Sequence, residues 1–289
     1  MSDVGTGVCV NFPKFGKIKL GEIHQSGGSS FVYEAFDTHG TKLAVKVVRA
    51  NAKEDGIPQR VKNEINNPLP PSPHIVKPID HIIIESYGLK IPCILFKFSS
   101  SKEVADFITV ETPRRAAMNR RLNVARNMAL SLQHVHSHGF IHGDVSPKNF
   151  LLDSENDAIQ MIDFETLTII DGAPLKRTWA NKDYMAPEVD QHGSKAISLQ
   201  SDIWSFALLL IEWLAPEIWK RDNLDEGWAA KFNRRKVSGS EDILQSIVTS
   251  PTPLDLNHIW PWIVNALSIE KGYRPSIKKL LQCMDGEEL

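Results

Sequence analysis

Two short stretches near the middle of the chain carry side chains suited to chemistry. The first, HGDVSPKN, places the Asp144 carboxylate, the Lys148 amine and the Asn149 carboxamide within six residues. The second, MIDFE, ends an apolar run and adds the Asp163 carboxylate. Carboxylate and carboxamide oxygens are ligands that Mg²⁺ accepts, and a lysine supplies positive charge for a phosphoryl group. The two stretches together predict a magnesium-dependent phosphoryl-transfer site.

The first hundred residues add a glycine pair and a lysine. Gly27 and Gly28 lie in a turn between strand-like runs, and they suit either an ordinary hairpin or a loop whose N–H groups approach phosphates. Lys46 lies between two valines in a β-rich run, so its side chain has a strand face of its own. It is either solvated or neutralises a phosphate. In the second case Glu64, in a short helix predicted over 57–66, is the obvious partner.

We expect strands to position Gly27, Gly28 and Lys46 in the first hundred residues, and helices to make up most of the chain after them. The predicted strands span 17–23, 31–36, 42–48, 74–84 and 91–98. Composition changes at 99–102, and from there apolar residues recur at helical spacing. The predicted helices span 120–136, 201–214, 256–269 and 276–283. An extended loop is predicted over 165–183. Ser201 or Asp202 is predicted to cap the helix over 201–214.

Composition excludes several protein classes. The 289 residues carry a formal net charge of −2, which argues against a nucleic-acid or membrane-surface binder. Cys9, Cys93 and Cys283 are far apart and fit neither a disulfide framework nor a zinc site. The N-terminus lacks the basic and apolar pattern of a secretory signal, and no apolar run is long enough to span a bilayer. We therefore expect a cytoplasmic protein, or one delivered into a host cytosol.

Taken together, these motifs resemble the protein kinase family from about Leu20 to Cys283. The matching sequences are AVK with Lys46, Glu64 eighteen residues later, HGDVSPKN, DFE, MAPE, SDIWSFA and RPS near the end. The resemblance implies an α+β, bilobal fold and a single kinase domain over 1–289. Its small antiparallel β lobe would span about 17–98, its hinge about 97–101 and its mainly helical lobe about 102–285.

The resemblance also implies ATP and Mg²⁺ as cofactors and a protein hydroxyl, of the serine/threonine type, as acceptor. Asp144 would orient or deprotonate the hydroxyl, Lys148 would add positive charge, and Asn149 and Asp163 would bind Mg²⁺. Lys46, held by Glu64, would contact the α- and β-phosphates. The other positions implied in nucleotide binding are Gly27, Gly28, Val32, Ala44, Phe96 as gatekeeper, Lys97, Phe98 and Leu151.

Other matching residues have structural interpretations. His142 is interpreted as a core histidine that positions the loop. Asp202 is expected to bond the loop backbone as well as to cap its helix. Glu188 and Arg274 are expected to form a buried pair.

Several residues depart from the family pattern. Gln25 and Ser30 replace the outer glycines of the glycine-rich loop, and Glu165 replaces the glycine of the metal motif. Glu165 restricts the backbone, adds a carboxylate near the metals, or points to solvent. Pro68 requires the helix that carries Glu64 to end early or distort, which makes the pairing with Lys46 the least secure assignment.

The catalytic stretch departs from the pattern as well. Gly143 replaces the arginine that usually binds a phosphorylated activation loop, which argues against that mode of activation. Thr166, Thr168 and Thr178 are nevertheless available as phosphorylation candidates. Ser146 and Asn181 replace a lysine and a threonine that usually meet near the catalytic aspartate, so the loop leaves serine/threonine and tyrosine acceptors both open.

Three functions remain in competition. The leading hypothesis is an active protein kinase that transfers the γ-phosphate to a protein. The second is a pseudokinase that binds nucleotide or serves as a scaffold, favoured by the eroded glycine loop, Glu165 and Pro68. The third is a small-molecule phosphotransferase, against which the MAPE, DIWSF and Arg274 motifs argue. A protein substrate is expected as partner, with neither nucleic acid nor membrane.

Overall fold

The computed structural model describes residues 5–49, 57–86, 88–108, 115–172, 181–221 and 256–287. These residues fall into two compact units. The β unit comprises residues up to Pro71 together with Val76–Ser100. The α unit comprises Ser72–Ile75 and the residues from Ser101 onward. The chain passes from the β unit to the α unit after Ser100, while the predicted lobe and hinge bounds stay a prediction.

The β unit is built on one antiparallel sheet in the order β1-β2-β3-β4-β6-β5. Its strands are β1 (Cys9–Phe12), β2 (Gly16–Ser26), β3 (Ser30–Phe36), β4 (Lys42–Val48), β5 (Asp80–Ser86) and β6 (Leu89–Lys97). One short helix, α1 (Gln59–Ile65), lies between β4 and β5 in sequence. Buried apolar residues from β1, β2, β3, β4 and β6 form the core, and partly buried residues of β5 pack against it, as alternation in half-buried strands requires. The antiparallel β lobe of the predicted α+β fold is confirmed.

Strand β1 was not predicted from the sequence. Val10 and Phe12 point inward and are buried, and β1 both pairs with β2 and packs against β5. The Lys14 N–H in the following turn donates to Asp80 Oδ2 at 2.7 Å, at the start of β5. The predicted strand over 74–84 is wrong in its first half, because β5 begins only at Asp80. Prolines at 73 and 78 cannot donate to a sheet ladder, which explains the late start.

The α unit is mainly helical, as predicted. Its helices are α2 (Arg115–Ser137), α3 (Pro187–His192), α4 (Leu199–Leu214), α5 (Pro216–Arg221), α6 (Trp260–Ala266) and α7 (Ile277–Met284). Short strands join them: β7 (Lys102–Glu103), β8 (Phe140–Ile141), β9 (Phe150–Leu152), β10 (Ile159–Met161) and β11 (Thr168–Ile169). Helix α6 is shorter than the predicted 256–269. None of the helices in the described ranges is long and apolar enough to cross a bilayer.

Helix α4 is the central helix of the α unit. It is buried nearly all round and packs against α2, α5 and α6. The predicted cap is wrong: Ser198 is the N-cap, and its side chain accepts from the Ser201 N–H. Ser201 returns a hydrogen bond from its Oγ, which accepts from the Ser198 N–H at 2.9 Å. This reciprocal capping box leaves the Asp202 carboxylate to bond elsewhere.

The segment after Asp163 is more regular than the sequence indicated. A 3₁₀ turn over Phe164–Thr166 and strand β11 replace the first part of the extended loop predicted over 165–183. Strand β11 pairs with β8 in an antiparallel register, Thr168 with Ile141. A two-residue strand cannot show period-2 alternation, so sequence reasoning had no signal for it. Residues 173–180, which include Thr178, lie outside the described part of the chain.

Candidate active site

Strands β3, β4 and β6 bring four predicted nucleotide-binding residues to one face of the sheet. Val32 lies directly opposite Lys46, and Ala44 lies directly opposite Phe96. Residues opposite each other on antiparallel strands point to the same face, and so do Ala44 and Lys46 at positions i and i+2. The register therefore gathers an amine, two small apolar side chains and an aromatic ring on one surface.

Lys46 and Glu64 form the predicted ion pair. Lys46 Nζ lies 2.7 Å from Glu64 Oε2, and the two side chains are only 9% and 4% exposed. The solvated alternative for Lys46 is thus wrong. Helix α1 does end early, at Ile65 before Pro68, but Glu64 lies in its last turn and still reaches the lysine. A buried pair of this kind is costly to break from one side, by about 3–5 kcal/mol, so each residue holds the other in place.

The glycine turn between β2 and β3 is fixed by main-chain bonds and by one arginine. Gly27 N–H donates to the Ser30 carbonyl at 2.9 Å, and Arg49 Nη2 donates to the Gly27 carbonyl at 3.1 Å. The Arg49 guanidinium also stacks 4.0 Å from the centre of the Phe31 ring. Neither Gly27 nor Gly28 has a positive φ, and an added Cβ would meet no close atom at either position. The fold itself therefore does not require glycine here. The contacts of Arg49 with this turn were not predicted from the sequence.

The residues predicted to contact adenine lie at the end of β6 and just beyond it. Phe96 is half-buried and Lys97 is exposed. The half-buried Phe98 ring has two neighbours that sequence reasoning missed. The His24 ring meets it edge-on at 5.7 Å between centroids, and Lys42 Nζ lies 3.9 Å above it. These contacts fix the orientation of the Phe98 ring.

In the α unit, Asp202 anchors the loop that carries Asp144. Its Oδ2 accepts the His142 N–H at 2.8 Å, and its Oδ1 accepts the Gly143 N–H at 2.9 Å. His136 Nε2 lies 2.9 Å from Oδ2. The carboxylate is 1% exposed, so these donors offset its desolvation. The expectation that Asp202 bonds the loop backbone is confirmed, and His136 is an additional partner.

His142 is a core residue, as interpreted from the sequence. It has no exposed surface, and its Nε2 lies 3.2 Å from the Ile162 carbonyl oxygen. Its ring meets the Phe164 ring edge-on at 5.3 Å. His142 therefore links the catalytic loop to the segment that carries Asp163.

The Asp144 side chain is held from both sides. Asn149 Nδ2 donates to the Asp144 carbonyl oxygen at 2.6 Å and to its Oδ2 at 3.0 Å. The Asn181 N–H donates to Oδ1 at 2.6 Å. Burial raises the pKa of the Asp144 carboxyl above its ordinary value, and the Asp163 charge adds to this. The hydrogen bond from Asn181 lowers the pKa and offsets part of the rise.

Asn149 and Asp163 have the donor atoms that Mg²⁺ requires. The contacts of Asn149 use its amide nitrogen, and its side-chain oxygen is the atom that would bind a cation. Asp163 adds a carboxylate, and hard oxygen ligands of this kind suit Mg²⁺. Asp163 also has a left-handed backbone, with φ 60° and ψ 72°. This conformation is rare for a residue with a side chain, and such outliers cluster at active sites.

The remaining residues singled out in the sequence range from exposed to buried. Lys148 is exposed, and no hydrogen bond or ion pair involves its amine within the described residues. Leu151 is half-buried at the centre of β9. Glu165 is buried, 7% exposed, so it does not point to solvent. Thr166 is 3% exposed, which removes it from the accessible phosphorylation candidates.

Comparison with known proteins decides the family. A family model described as the protein kinase domain matches residues 19–284, nearly the whole chain. The chain belongs to the protein kinase family. The resemblance drawn from Lys46, the HGDVSPKN stretch and the DFE motif is thereby confirmed, together with the α+β fold class. ATP and Mg²⁺ are the cofactors that this family generally uses.

Curated relatives are similar over about 70% of this kinase chain. Serine/threonine-protein kinase PknB of Mycolicibacterium smegmatis is 29% identical over 209 residues, and the match covers 33% of its length. CBL-interacting serine/threonine-protein kinase 21 of Arabidopsis thaliana is 27% identical over 207 residues, and the match covers 47% of its length. The match thus spans between a third and a half of the length of these relatives.

The kinase chain also contains the expected pair of Glu188 and Arg274. The guanidinium binds both carboxylate oxygens, at 2.7 and 2.9 Å, and the Arg274 side chain has no exposed surface. Arg274 donates further to the carbonyls of Ser268 and Gln200 and lies 5.0 Å from the Trp204 ring centre. A guanidinium with this many partners ties the start of α3 to α4 and to the turn before α7.

Proposed function

We propose that this chain is an active protein kinase that transfers the γ-phosphoryl group of ATP to a serine or threonine hydroxyl of a protein. The observation that carries the proposal is the Asp144 carboxylate, which Asn149 and Asn181 orient on a loop anchored by Asp202. The names of the relatives, all serine/threonine-protein kinases, support the acceptor class. The family assignment supports a protein as substrate.

Each residue has a role that follows from its charge and surroundings. Asp144 accepts a hydrogen bond from the acceptor hydroxyl and takes its proton as the hydroxyl oxygen bonds to the γ-phosphorus of ATP. The bond from that phosphorus to the β–γ bridging oxygen breaks at the same time, and ADP leaves. Its raised pKa makes it a stronger base than a solvated aspartate, which favours the transfer. Lys46, fixed by Glu64, binds the α- and β-phosphates. The exposed Lys148 amine faces no competing partner in the described structure and adds positive charge near the transferred group.

Asn149 and Asp163 would hold Mg²⁺ through their side-chain oxygens. When bound, the cation neutralises charge on the phosphates. The left-handed backbone of Asp163 is the strained feature of this pair, and its cost of about 1–3 kcal/mol is offset by the packing around it. Val32, Ala44 and Phe96 present the apolar surface that suits an adenine ring. Gly27, Gly28, Lys97, Phe98 and Leu151 complete the proposed nucleotide contacts.

A transfer assay with matched variants tests the proposal. The purified chain is incubated with labelled ATP and Mg²⁺, with and without a mixture of generic protein substrates. Asp144→Asn keeps the shape of the side chain but removes the base, and should lower transfer by at least about 10²-fold. Asp163→Asn should weaken Mg²⁺-dependent nucleotide binding. Glu270→Gln, at an exposed glutamate between α6 and α7, is the control and should leave transfer unchanged.

The outcomes separate the competing functions. Phosphoserine or phosphothreonine formed by the wild type but not by Asp144→Asn supports the proposal, whereas phosphotyrosine alone would correct the acceptor class. Nucleotide binding without transfer to any substrate would refute the proposal in favour of a pseudokinase. Turnover only with small hydroxylated acceptors would favour a small-molecule phosphotransferase.

A further inference from the structure

Thr166 joins the segment after Asp163 to the loop before Asp144. Its Oγ1 donates to the His142 carbonyl oxygen at 2.6 Å. Its own carbonyl accepts from Thr168 Oγ1 at 3.0 Å. With the side chain only 3% exposed, water does not compete for the bond to His142. The hydroxyl is thus committed to one partner, on the residue two positions before Asp144.

Gly143 leaves room for Thr166 because it has no Cβ. Its φ is +79°, a conformation that residues with a side chain rarely adopt. A Cβ at Gly143 would lie 3.1 Å from the Thr166 carbonyl oxygen and 3.3 Å from Thr166 Cβ. Any side chain at position 143 would therefore be strained and would push against Thr166 main-chain and side-chain atoms. Gly143 and Thr166 fit each other, whereas a side chain at position 143 would require Thr166 to shift.

Further contacts lie on both sides of this pair. Before it, His142 Nε2 meets the Ile162 carbonyl and the His142 ring meets Phe164. After it, β11 pairs with β8, which leads into His142. The segment over 162–169 therefore touches the catalytic loop at successive points, and Thr166 contributes a side-chain hydroxyl bond to that loop.

We propose that Thr166, seated against Gly143, is a positioning residue that holds the Asp163 segment in fixed relation to Asp144. This inference rests on the proposed function, because it concerns how the metal-binding and hydroxyl-orienting carboxylates are aligned. The Thr166 hydroxyl fixes the His142 carbonyl, and the Asp202 carboxylate fixes the next two N–H groups of the loop. The catalytic loop is thus held from one side by α4 and from the other by Thr166.

The test compares two variants of the same residue. Thr166→Val keeps the shape and removes the donor, and Thr166→Ser keeps the donor. Amide hydrogen exchange in peptides covering 140–145 and 162–169 is followed without nucleotide, and steady-state transfer is measured separately. Loss of one buried hydrogen bond should speed exchange in both peptides by roughly 5- to 10-fold in Thr166→Val. In the same variant kcat should fall several-fold while KM for the protein substrate changes little. Thr166→Ser should restore both readouts.

Amide hydrogen exchange and steady-state transfer are also measured for two control variants. Thr38→Val, at an exposed threonine of the β unit, should change neither. Gly143→Ala should speed exchange in both peptides more than Thr166→Val. Unchanged exchange in Thr166→Val, or a serine variant that behaves like valine, would overturn the inference. If the wild type transfers no phosphate, the proposed function fails, but the exchange comparison still decides whether Thr166 holds the two segments together.

Discussion

Glu212 on α4 carries a partly buried carboxylate whose protonation should affect the stability of the protein. The Tyr184 hydroxyl donates a hydrogen bond to its Oε2. Burial raises the pKa of Glu212 from the ordinary 4.5 to about 6. The hydrogen bond from Tyr184 lowers the pKa, and the charge of Asp183 raises it further. Burial is the largest of these effects, so the folded protein favours the neutral acid.

The sign of the effect follows from proton binding. Because the pKa is higher in the folded chain than in the unfolded chain, the folded state binds more protons between pH 4.5 and about 6. The stabilisation is complete below pH 4.5 and is lost as the pH rises through about 6. One pKa unit corresponds to about 1.4 kcal/mol, so the contribution of Glu212 amounts to about 2 kcal/mol.

Replacing Glu212 by glutamine removes the titration and keeps the shape, and the side-chain oxygen still accepts from Tyr184. Urea denaturation between pH 4 and pH 7 gives the free energy of unfolding of both proteins. We expect the wild type to lose about 2 kcal/mol relative to Glu212→Gln across this range. Glu22→Gln, at an exposed glutamate of β2, corrects for the general effect of removing one negative charge. A difference that is constant with pH, or that grows in favour of the wild type as the pH rises, would refute the reasoning.

Three further predictions concern stability and turnover. Glu188→Ala leaves the Arg274 guanidinium buried without its carboxylate and should lower the free energy of unfolding by about 3–5 kcal/mol in urea, with no such loss in a double variant that also replaces Arg274 by methionine. Asp80→Ala removes the acceptor of the Lys14 N–H and should cost about 1–3 kcal/mol in thermal unfolding, whereas Asp80→Asn should cost less. The Asn181 side-chain oxygen accepts from the Asp183 N–H and so shapes the turn whose Asn181 N–H binds Asp144 Oδ1. Asn181→Ala removes this oxygen and should lower kcat roughly 10-fold in a transfer assay, whereas Asn181→Asp keeps an acceptor and should retain most activity.

Side-chain pairs that depend on a fixed motif were predictable from the sequence. Lys46 and Glu64, like Glu188 and Arg274, could be matched because each lies within a recognisable motif of the family. The doubt about Glu64 came from Pro68, which ends α1 early. The structure shows that the short helix α1, Gln59–Ile65, is enough, because Glu64 needs only to point towards β4 and need not be followed by further helix.

Elements defined by distant contacts were not predictable. The alternation of Val10 and Phe12 was visible in the sequence, but four residues are too few to distinguish a strand from a disordered end. What makes β1 a strand is its pairing with β2 and its packing against β5, including the bond from Lys14 to Asp80 across 66 residues. Local propensity contains no information about such a contact.

Asp202 was expected both to cap its helix and to bond the loop backbone, and it does only the second. An acid in the first turn of a helix favours the N-terminal N–H groups, so capping was a reasonable expectation. Ser198 performs that function instead, and the Asp202 carboxylate accepts from residues 59 and 60 positions earlier in the chain. By fixing the Gly143 N–H it also fixes the residue with positive φ that directly precedes Asp144. The backbone directly before Asp144 is therefore fixed by the central helix of the α unit, through a contact that no local sequence pattern displays.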